Sequence, residues 1–401
     1  MEKPVAAIEF GSKKMKLVVG YELEGQVCVL YATTKPYGYM IENGEILDPS
    51  RLSQALKEVK NYADPAAQLK LNIQEVVLAL PPYGLSIYQG SQSSAVGGED
   101  GTVTKNEIRS IHNLIKNSYV VPGNSLVDIV PIFYELDQGR RSMYPPIGQK
   151  SNSLRISVMT HSLPTHVYQA YTQPVKDAQV VLKRSIVAPF GAAALVSSYP
   201  NMPANYLLVD IGAEMTTVSL IGEGRLYNSV YFNWGGDKIT EKIITSFNIN
   251  ENDAERYKVT YGIDNRQMNF NAPVCKSNDG EGNEIKHYSD ELNEIIKSEL
   301  AVFLKDLETS LDELLKNYDP NMVNKKIPMV LIGGGAKLNG LVDYLKPKVE
   351  SEDVIVVTPK NLGARDATYT NCLGLILASK AGQSSYEDNQ AHVGQVTRDE
   401  Q

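Results

Sequence analysis

The chain has 401 residues, 42% hydrophobic and 21% charged, which suits a globular protein of two or more domains. Its net charge of −8, without a long Lys/Arg run, argues against non-specific nucleic-acid binding, which needs basic surface. Three scattered cysteines form no CxxC, so we expect no disulfide framework or zinc site and a reducing cytoplasmic location. Neither a signal peptide nor an apolar run of the roughly 18 residues needed for a membrane span is visible.

The first motif is "EFGSKKMKLVVG", residues 9–20, in which an acidic residue, a glycine and a small hydroxyl residue separate two apolar strands. The backbone N–H groups of such a turn can hold phosphates, and a lysine can reach them as a point charge. We therefore predict Gly11, Ser12, Lys13 and Lys16 as nucleotide contacts and Glu9 as a metal ligand. Taken alone, such a motif is more often an ordinary hairpin.

An insert is expected to follow, because Pro81 and Pro82 end a buried strand. Residues 105–117 predict an amphipathic helix within it. A Pro/Asn-rich stretch at 197–205 then leads into the second half of the chain.

The second half contains an echo of the first motif, "VDIGAEMTTVSLIGE" at 209–223. Glu9 aligns with Asp210 and Gly11 with Gly212, and a glycine turn and a third strand follow each copy. This repeat predicts a duplicated α/β domain whose two turns face each other across a cleft. We predict Gly212, Ala213, Glu214 and Thr216 as nucleotide contacts, with Asp210 joining Glu9 near Mg²⁺.

Residues 235–247 predict a helix that begins after Gly235 and Gly236, both candidate nucleotide contacts. If residues 252–259 are also helical, Glu255 and Lys258 lie three apart on one face. They could grip a ribose, although a surface ion pair is the simpler interpretation.

A long helix is predicted to begin after a polar loop at 276–284, with Ser289 as its N-cap. Its apolar stripe follows the 3.6-residue period, which indicates core packing and not a coiled coil.

The last motif, residues 327–345, runs from a buried strand through three glycines into an expected amphipathic helix. Glycines at such a turn allow a ligand to approach the backbone, and a helix N-terminus favours anions. We predict Gly333, Gly334, Gly335 and Ala336 as nucleotide contacts. A simple tight turn would explain the glycines equally well.

In this order the motifs resemble the actin / sugar-kinase / heat-shock chaperone superfamily, and within it the cell-division family FtsA. The insert carries the closer resemblance, through "DIVPIFYELD", "PPIG" and "RISVMTHSLP". The matching residues there are Pro131, Tyr134, Leu136, Asp137, Pro146 and Gly148. The resemblance covers roughly residues 4–381.

The resemblance implies an α/β fold of two duplicated ribonuclease-H-like, actin-type domains that flank a nucleotide cleft. Residues 1–81 plus 162–199 would form the first actin-like subdomain, with an FtsA-type insert at 82–161. Residues 206–247 plus 327–381 would form the second, with a small lobe at 248–326. We expect a disordered tail at 382–401.

The same resemblance implies an ATP- and Mg²⁺-binding protein that forms filaments and links FtsZ to the membrane at the division septum. The FtsZ C-terminal peptide would bind the 248–326 lobe, and other division proteins the 82–161 insert. The protein would be cytoplasmic and peripheral on the inner face of the membrane. The family's C-terminal amphipathic helix is not recognisable, so it is either trimmed or replaced by a partner. Ala188 matches the position of a glutamate that activates water in hydrolytic relatives, so we expect at most a slow ATPase.

Two alternatives remain. One is an actin-like scaffold of another membrane machine, such as the pilus protein PilM, which shares the insert. The other is a sugar or acetate kinase, for which no catalytic aspartate is evident.

Overall fold

The computed structural model describes residues 3–66, 69–97, 100–263, 271–278, 283–316, 318 and 326–380. The tail at 382–401, expected to be disordered, lies outside the described residues.

The chain begins with a three-stranded meander and a helix that packs beside it. The elements are β1 (Val5–Phe10), β2 (Lys14–Leu23), β3 (Gln26–Pro36), β4 (Ile41–Glu42), β5 (Glu45–Ile46), α1 (Pro49–Val59), β6 (Asn61–Asp64), β7 (Leu69–Asn72) and β8 (Glu75–Leu80). β1 pairs antiparallel with β2 and parallel with β8, so it lies inside a mixed sheet.

The insert forms its own four-stranded sheet with one helix against it. Its elements are β9 (Ser86–Ala95), α2 (Lys105–Ser118), β10 (Asn124–Leu136), β11 (Arg141–Ser142) and β12 (Ser153–Pro164). The strand order is β11-β10-β12-β9. Ile108, Ile111 and Ile115 of α2 are fully buried against the sheet, as the predicted amphipathic helix requires.

The chain then returns to the first sheet through α3 (Thr165–Asp177), β13 (Val181–Val187) and α4 (Ala188–Ser197). The completed order is β13-β8-β1-β2-β3. Helices α1 and α3 pack against each other, and their buried residues Leu52, Leu56, Tyr171 and Val175 share one core cluster with the sheet residues Ile8 and Leu78.

The second half repeats this plan. Its elements are β14 (Asn205–Ile211), β15 (Thr216–Gly222), β16 (Arg225–Phe232), α5 (Gly236–Phe247), α6 (Glu251–Tyr261), β17 (Pro273–Asn278), β18 (Glu284–Tyr288), α7 (Ser289–Leu315), β19 (Met329–Ile332), α8 (Leu341–Leu345), β20 (Val354–Val356) and α9 (Thr370–Lys380). The sheet order is β16-β15-β14-β19-β20. Each sheet therefore consists of an antiparallel three-stranded meander, with two further strands added in parallel beside the first strand of the meander. This repeated order confirms the predicted duplication.

Helices α4 and α9 lie between the two sheets and join them. Their buried residues form one core cluster with residues from both sheets, such as Val77 and Val330. The two helices approach closely, since a Cβ on Gly374 would lie 2.0 Å from the carbonyl oxygen of Gly191. The close contact between these two glycines lets α4 and α9 pack together, and both sheets pack against this helix pair.

Two local predictions were wrong. Ser289 is the first residue of α7 and not its N-cap; its Oγ instead accepts a hydrogen bond from the backbone of Ala272 at 3.0 Å. After β19 the glycines enter a short 3₁₀ turn at Gly335–Lys337, and α8 begins only at Leu341. The three glycines therefore do not form a helix N-terminus.

Candidate functional site

The two matched turns have the same backbone geometry. The N–H of Gly11 donates to the carbonyl of Lys14 at 3.1 Å, and that of Gly212 donates to Met215 at 2.9 Å. Each bond spans a glycine and the third residue after it, at the end of the first strand of its sheet. A Cβ on Gly212 would come within 2.9 Å of the Met215 carbonyl oxygen, so the turn is too tight for a side chain.

The acidic residues of the two motifs lie together at the base of the cleft. Glu9 Oε1 forms an ion pair with Lys16 Nζ at 2.9 Å, while Asp210 Oδ2 accepts a hydrogen bond from Asn371 at 3.1 Å. Burial and the negative charge of Glu9 raise the pKa of Asp210. Burial lowers the pKa of Lys16, but the Glu9 carboxylate outweighs it and raises that pKa overall.

Lys13 crosses the cleft from the first half to the second. Its ammonium lies 2.9 Å from Asp237 Oδ1, in the first turn of α5, and 2.9 Å from Glu251 Oε1, at the start of α6. It also sits 4.2 Å from the ring centroid of Tyr39. Although burial opposes the charge, the hydrogen bonds that the Lys13 ammonium makes to Tyr39 and donates to Glu251 and Asp237 raise the pKa of Lys13. The turn is thus tied to the opposite wall.

In the pair Glu255 and Lys258 the lysine is buried, whereas the Glu255 side chain is 48% exposed. The Lys258 ammonium lies 2.6 Å from Glu255 and donates to the Gly236 carbonyl at 3.0 Å and to Thr240 Oγ1 at 2.9 Å. These three contacts use all three of its N–H donors. Both residues line the cavity described below, but Lys258 also fixes α6 against α5.

The three glycines after β19 have different roles. Gly333 has φ +86°, and a Cβ there would lie 2.3 Å from Asp210 Oδ1. A Cβ on Gly335 would lie 2.3 Å from Ile211 Cγ2. Both glycines are therefore required by packing against β14. A Cβ on Gly334 would meet no atom within 4 Å, so this glycine alone leaves open space for a ligand.

These elements surround one cavity of about 710 Å³ between the two halves of the chain. Fourteen of the predicted site residues line it: Glu9, Gly11, Ser12, Lys13, Lys16, Asp210, Gly212, Ala213, Gly236, Glu255, Lys258, Gly333, Gly334 and Gly335. The structure therefore brings residues from all of the predicted motifs to one place, which has the size of a small-molecule site.

Four predicted residues do not reach the cavity wall. Thr216 is fully buried and its hydroxyl donates to the Trp234 carbonyl at 2.7 Å. A Cβ on Gly235 would lie 2.3 Å from the Ala213 carbonyl, so this residue packs against the second turn. Ala336 belongs to the core beneath the second sheet. Glu214 is outside the wall as well, and burial and the charge of Asp237 raise its pKa.

The first turn of α5 is also less available to an anion than its position suggests. The N–H of Gly236 donates to Gly212 at 3.0 Å, and that of Asp237 donates to Ala213 at 2.8 Å. These N–H groups, normally free at a helix N-terminus, are used to hold the second turn. Gly236 thus lines the cavity without offering its N–H to a ligand.

Lys14 is the main cavity residue that sequence reasoning missed. Among the residues that the structure describes, its ammonium has no ion-pair or hydrogen-bond partner, although it lines the cavity. Burial and the positive charge of Lys16 lower its pKa, and Lys337 acts in the same direction. Lys337 itself is paired with Asp366 at 2.6 Å. An anionic ligand beside Lys14 would therefore stabilise its charged form, which burial and Lys16 disfavour.

Asp237 and Asn371 were also missed, because each becomes a site residue only through packing between distant segments. Three acceptor oxygens at the cavity are buried without a hydrogen-bond partner in the described chain: Glu9 Oε2, Asp237 Oδ2 and Asn371 Oδ1. Uncompensated buried acceptors are costly, and hard oxygens are the ligands and outer-sphere acceptors that hydrated Mg²⁺ prefers. The described residues contain no cluster of three His, Cys, Asp or Glu that would hold a metal alone.

Comparison with solved structures shows the class of fold. A chain of the PilM–PilN type IV pilus biogenesis complex is similar with a TM-score of 0.57 and 20% identity, over 94% of this chain and 99% of that one. MreB 5 of Spiroplasma citri bound to AMPPNP is similar with a TM-score of 0.55 and 16% identity, over 95% and 97%. The chain has the predicted actin-like fold, with two duplicated domains around a cleft.

Sequence comparison shows the family that it resembles. The family model for cell division protein FtsA matches residues 207–374. FtsA of Enterococcus hirae is 22% identical over 373 residues, which cover 92% of this chain and 81% of the relative. FtsA of Staphylococcus epidermidis is 23% identical over 392 residues, covering 96% and 82%. The predicted resemblance to FtsA, a cell-division protein, is confirmed over nearly the whole chain.

Proposed function

We propose that this chain is an FtsA-like adaptor of bacterial cell division that binds ATP, assembles into actin-like filaments and links FtsZ to the membrane at the septum. The observation that supports this most strongly is the pair of matched turns at one 710 Å³ cavity, in a chain similar to FtsA over 92% of its length.

The ligand that fits this cavity is a nucleotide with Mg²⁺. Its phosphates would lie between the two turns, where Lys14 offers an unpaired charge and Lys16 a second cation. The open face of Gly334 would admit the adenosine. Glu9 and Asp210, with the unpartnered oxygens of Asp237 and Asn371, would hold Mg²⁺ and its water ligands. The ion would supply positive charge between carboxylates and phosphates that otherwise repel.

The cavity supports binding better than hydrolysis. Ala188, which lines it at the start of α4, has no group that could take a proton from water. Nucleotide affinity does not need such a base, since it comes from contacts to phosphate and adenosine. We therefore propose a mainly structural role for the nucleotide, with slow turnover at most.

We propose that the chain consists of the two actin-like subdomains, the 82–161 insert and the 248–326 lobe. The FtsZ C-terminal peptide would bind the 248–326 lobe, other division proteins the 82–161 insert, and further copies of the chain would stack into filaments. In the part of the chain that the structure describes, no helix is long and apolar enough to span a bilayer. The proposed membrane attachment is accordingly peripheral, on the inner face at the division site.

A PilM-like scaffold is the competing function, because the similarity to the pilus complex extends over 94% of the chain. Peptide binding separates the two. We expect an FtsZ C-terminal peptide to bind the full-length chain in a fluorescence-anisotropy titration, and a PilN-type peptide not to bind.

The lobe can be tested with exposed apolar residues, Ile285 and Val302, which are 42% and 47% exposed. Changing both to serine should weaken the FtsZ peptide, whereas Leu362→Ser, at a 74% exposed position outside the lobe, should not. Binding of the pilus peptide instead of the FtsZ peptide would refute the division role.

A further inference from the structure

The loop between β11 and β12 of the insert carries an unusual group of exposed apolar side chains. Met143 is 63% exposed, Tyr144 78% and Ile147 42%. Single exposed apolar residues are common on protein surfaces, but three within five positions form a patch that needs an explanation.

This loop is well ordered by its own hydrogen bonds. The Tyr144 N–H donates to Ser142 Oγ at 3.0 Å, and the Gly148 N–H donates to the Val103 carbonyl at 2.9 Å. Pro146 is buried between the exposed residues and anchors the loop to the insert. The chain therefore folds so as to hold Met143 and Tyr144 largely in water and Ile147 partly in water.

The same end of the insert sheet is basic. Arg141 on β11 and Arg155 on β12 both flank Glu135 of β10, at 2.8 Å and 3.9 Å, and their side chains remain 65% and 56% exposed. Lys150 is exposed on the loop itself. Between residues 133 and 155 there are four basic residues (Arg140, Arg141, Lys150, Arg155) and two acidic ones (Glu135, Asp137). The segment 100–107, which bridges to the loop through Thr102 and Lys150, adds Lys105, Asp100 and Glu107, so the net charge is +1 within a chain of −8. One of the acids, Asp137, accepts a hydrogen bond from the backbone N–H of Ser153 at 3.0 Å.

We propose that this surface, the insert tip (Arg141, Met143, Tyr144, Ile147, Lys150 and Arg155), binds an anionic lipid surface. Tyrosine favours the headgroup level of a bilayer, where its ring is partly apolar and its hydroxyl stays wet. Methionine and isoleucine can enter the acyl region beside it, while long basic side chains extend to the phosphates. A lipid surface is favoured over a protein partner, because exposed basic side chains lie beside the exposed apolar ones, as phosphate headgroups above acyl chains require.

The structure predicts weak, reversible and salt-sensitive binding. Three apolar side chains bury little area, and the basic residues act through charges that salt screens. The insert tip lies apart from the nucleotide cavity, so the proposal does not depend on nucleotide binding.

A fluorescent reporter tests the contact directly. The chain has one tryptophan, Trp234, which is only 3% exposed and gives a constant background. In Tyr144→Trp, vesicles of 70% phosphatidylcholine and 30% phosphatidylglycerol should shift the emission to the blue, and pure phosphatidylcholine should do so much less. Leu362→Trp, equally exposed elsewhere, is the matched control and should not shift.

Vesicle flotation tests the contribution of each group of residues. M143S/Y144S should lower binding to the anionic vesicles by about tenfold, which corresponds to roughly 1.4 kcal/mol. K150Q/R155Q should remove the preference for anionic lipid. Leu362→Ser should bind as the unaltered chain does, and all variants should melt at the same temperature because the changed residues are exposed.

Equal flotation of M143S/Y144S and the unaltered chain would overturn the proposal. So would a blue shift of Tyr144→Trp that rises with protein concentration in the absence of vesicles, because a second copy would then cover the tip. A shift caused only by an added division-protein peptide would overturn it as well.

Discussion

Three lysines of one turn, Lys13, Lys14 and Lys16, have three different surroundings. Lys13 is held by carboxylates of the opposite wall and Lys16 by Glu9 of its own sheet, whereas Lys14 has no partner in the described chain. Only the last is a cation whose charge is still uncompensated inside the cavity. It is therefore the residue through which an anionic ligand should gain most.

Lys14→Gln should weaken nucleotide binding by about ten- to a hundredfold, since a hydrogen bond to a charged group contributes roughly 1.5–3 kcal/mol. It should leave the free energy of unfolding unchanged or slightly higher, because the repulsion from Lys16 and Lys337 is removed. Binding is measured by titration with a fluorescent ATP analogue, and stability by urea unfolding.

Lys14→Arg keeps the charge and is the matched control; it should retain most of the affinity. If Lys14→Gln binds nucleotide as tightly as the unaltered chain, the phosphates do not lie beside this residue.

Lys14 also shows why the site could be predicted only in part. The spacing of an acidic residue two positions before a glycine is local and can be recognised twice in the sequence, at Glu9–Gly11 and Asp210–Gly212. Which lysine is paired depends on Asp237 and Glu251, more than 200 positions away. The prediction of Thr216 as a nucleotide contact was wrong for a similar reason: its hydroxyl donates to the Trp234 carbonyl, a contact that the motif itself does not reveal.

At the scale of elements, the insert is joined to the first sheet by a buried polar contact. Arg184 on β13 donates to both oxygens of Asp128 on β10, at 3.0 and 2.7 Å, and to the carbonyls of Ala378 and Ser379 at the end of α9. His161 on β12 packs edge-on against Phe190, with neither ring nitrogen hydrogen-bonded in the described chain. Three segments therefore meet around one guanidinium group.

This contact should make the fold acid-sensitive. Burial, and to a lesser degree Arg184, lowers the pKa of His161 to about 4, and burial with Lys116 lowers that of His112 to about 4. Since the pKa is lowered in the folded state, the unfolded chain takes up the proton first. Stability is thus full above pH 6.5 and is lost as the pH falls from 6.5 towards 4, by about 1.4 kcal/mol per pH unit for each histidine.

In His161→Leu, the loss of unfolding free energy over this window should be about half that of the unaltered chain, because His112 still titrates. Urea unfolding at several pH values measures it. An unchanged slope would mean that His161 is solvated or hydrogen-bonded in the folded protein.

Most elements could be predicted because their signals are local. The apolar alternation of β1, β2, β14 and β15 and the 3.6-residue stripe of α7 are visible in the sequence, and the structure confirms them. The segment after β19 could not be predicted, because close packing of Gly333 and Gly335 against β14 directs the chain into a 3₁₀ turn. Local propensity does not report such a contact.

At the scale of the whole molecule, the two halves share α4 and α9 and face each other across the cavity. Lys13 links the halves through Asp237 and Glu251. A nucleotide between the two turns would add contacts to both halves and favour the closed arrangement by its higher affinity for it. Filament assembly, if it requires the closed form, would then respond to nucleotide.

The most direct test is a titration of the full-length chain with a fluorescent ATP analogue, with and without Mg²⁺, alongside Gly334→Asp and Gly334→Asn. We predict saturable binding that Mg²⁺ strengthens. We predict loss of binding in Gly334→Asp, where a carboxylate would enter the open face of Gly334, and retained though weaker binding in Gly334→Asn, which has the same shape without the charge. No binding under either condition, or unaltered affinity in Gly334→Asp, would contradict the claim that this cleft is a nucleotide site.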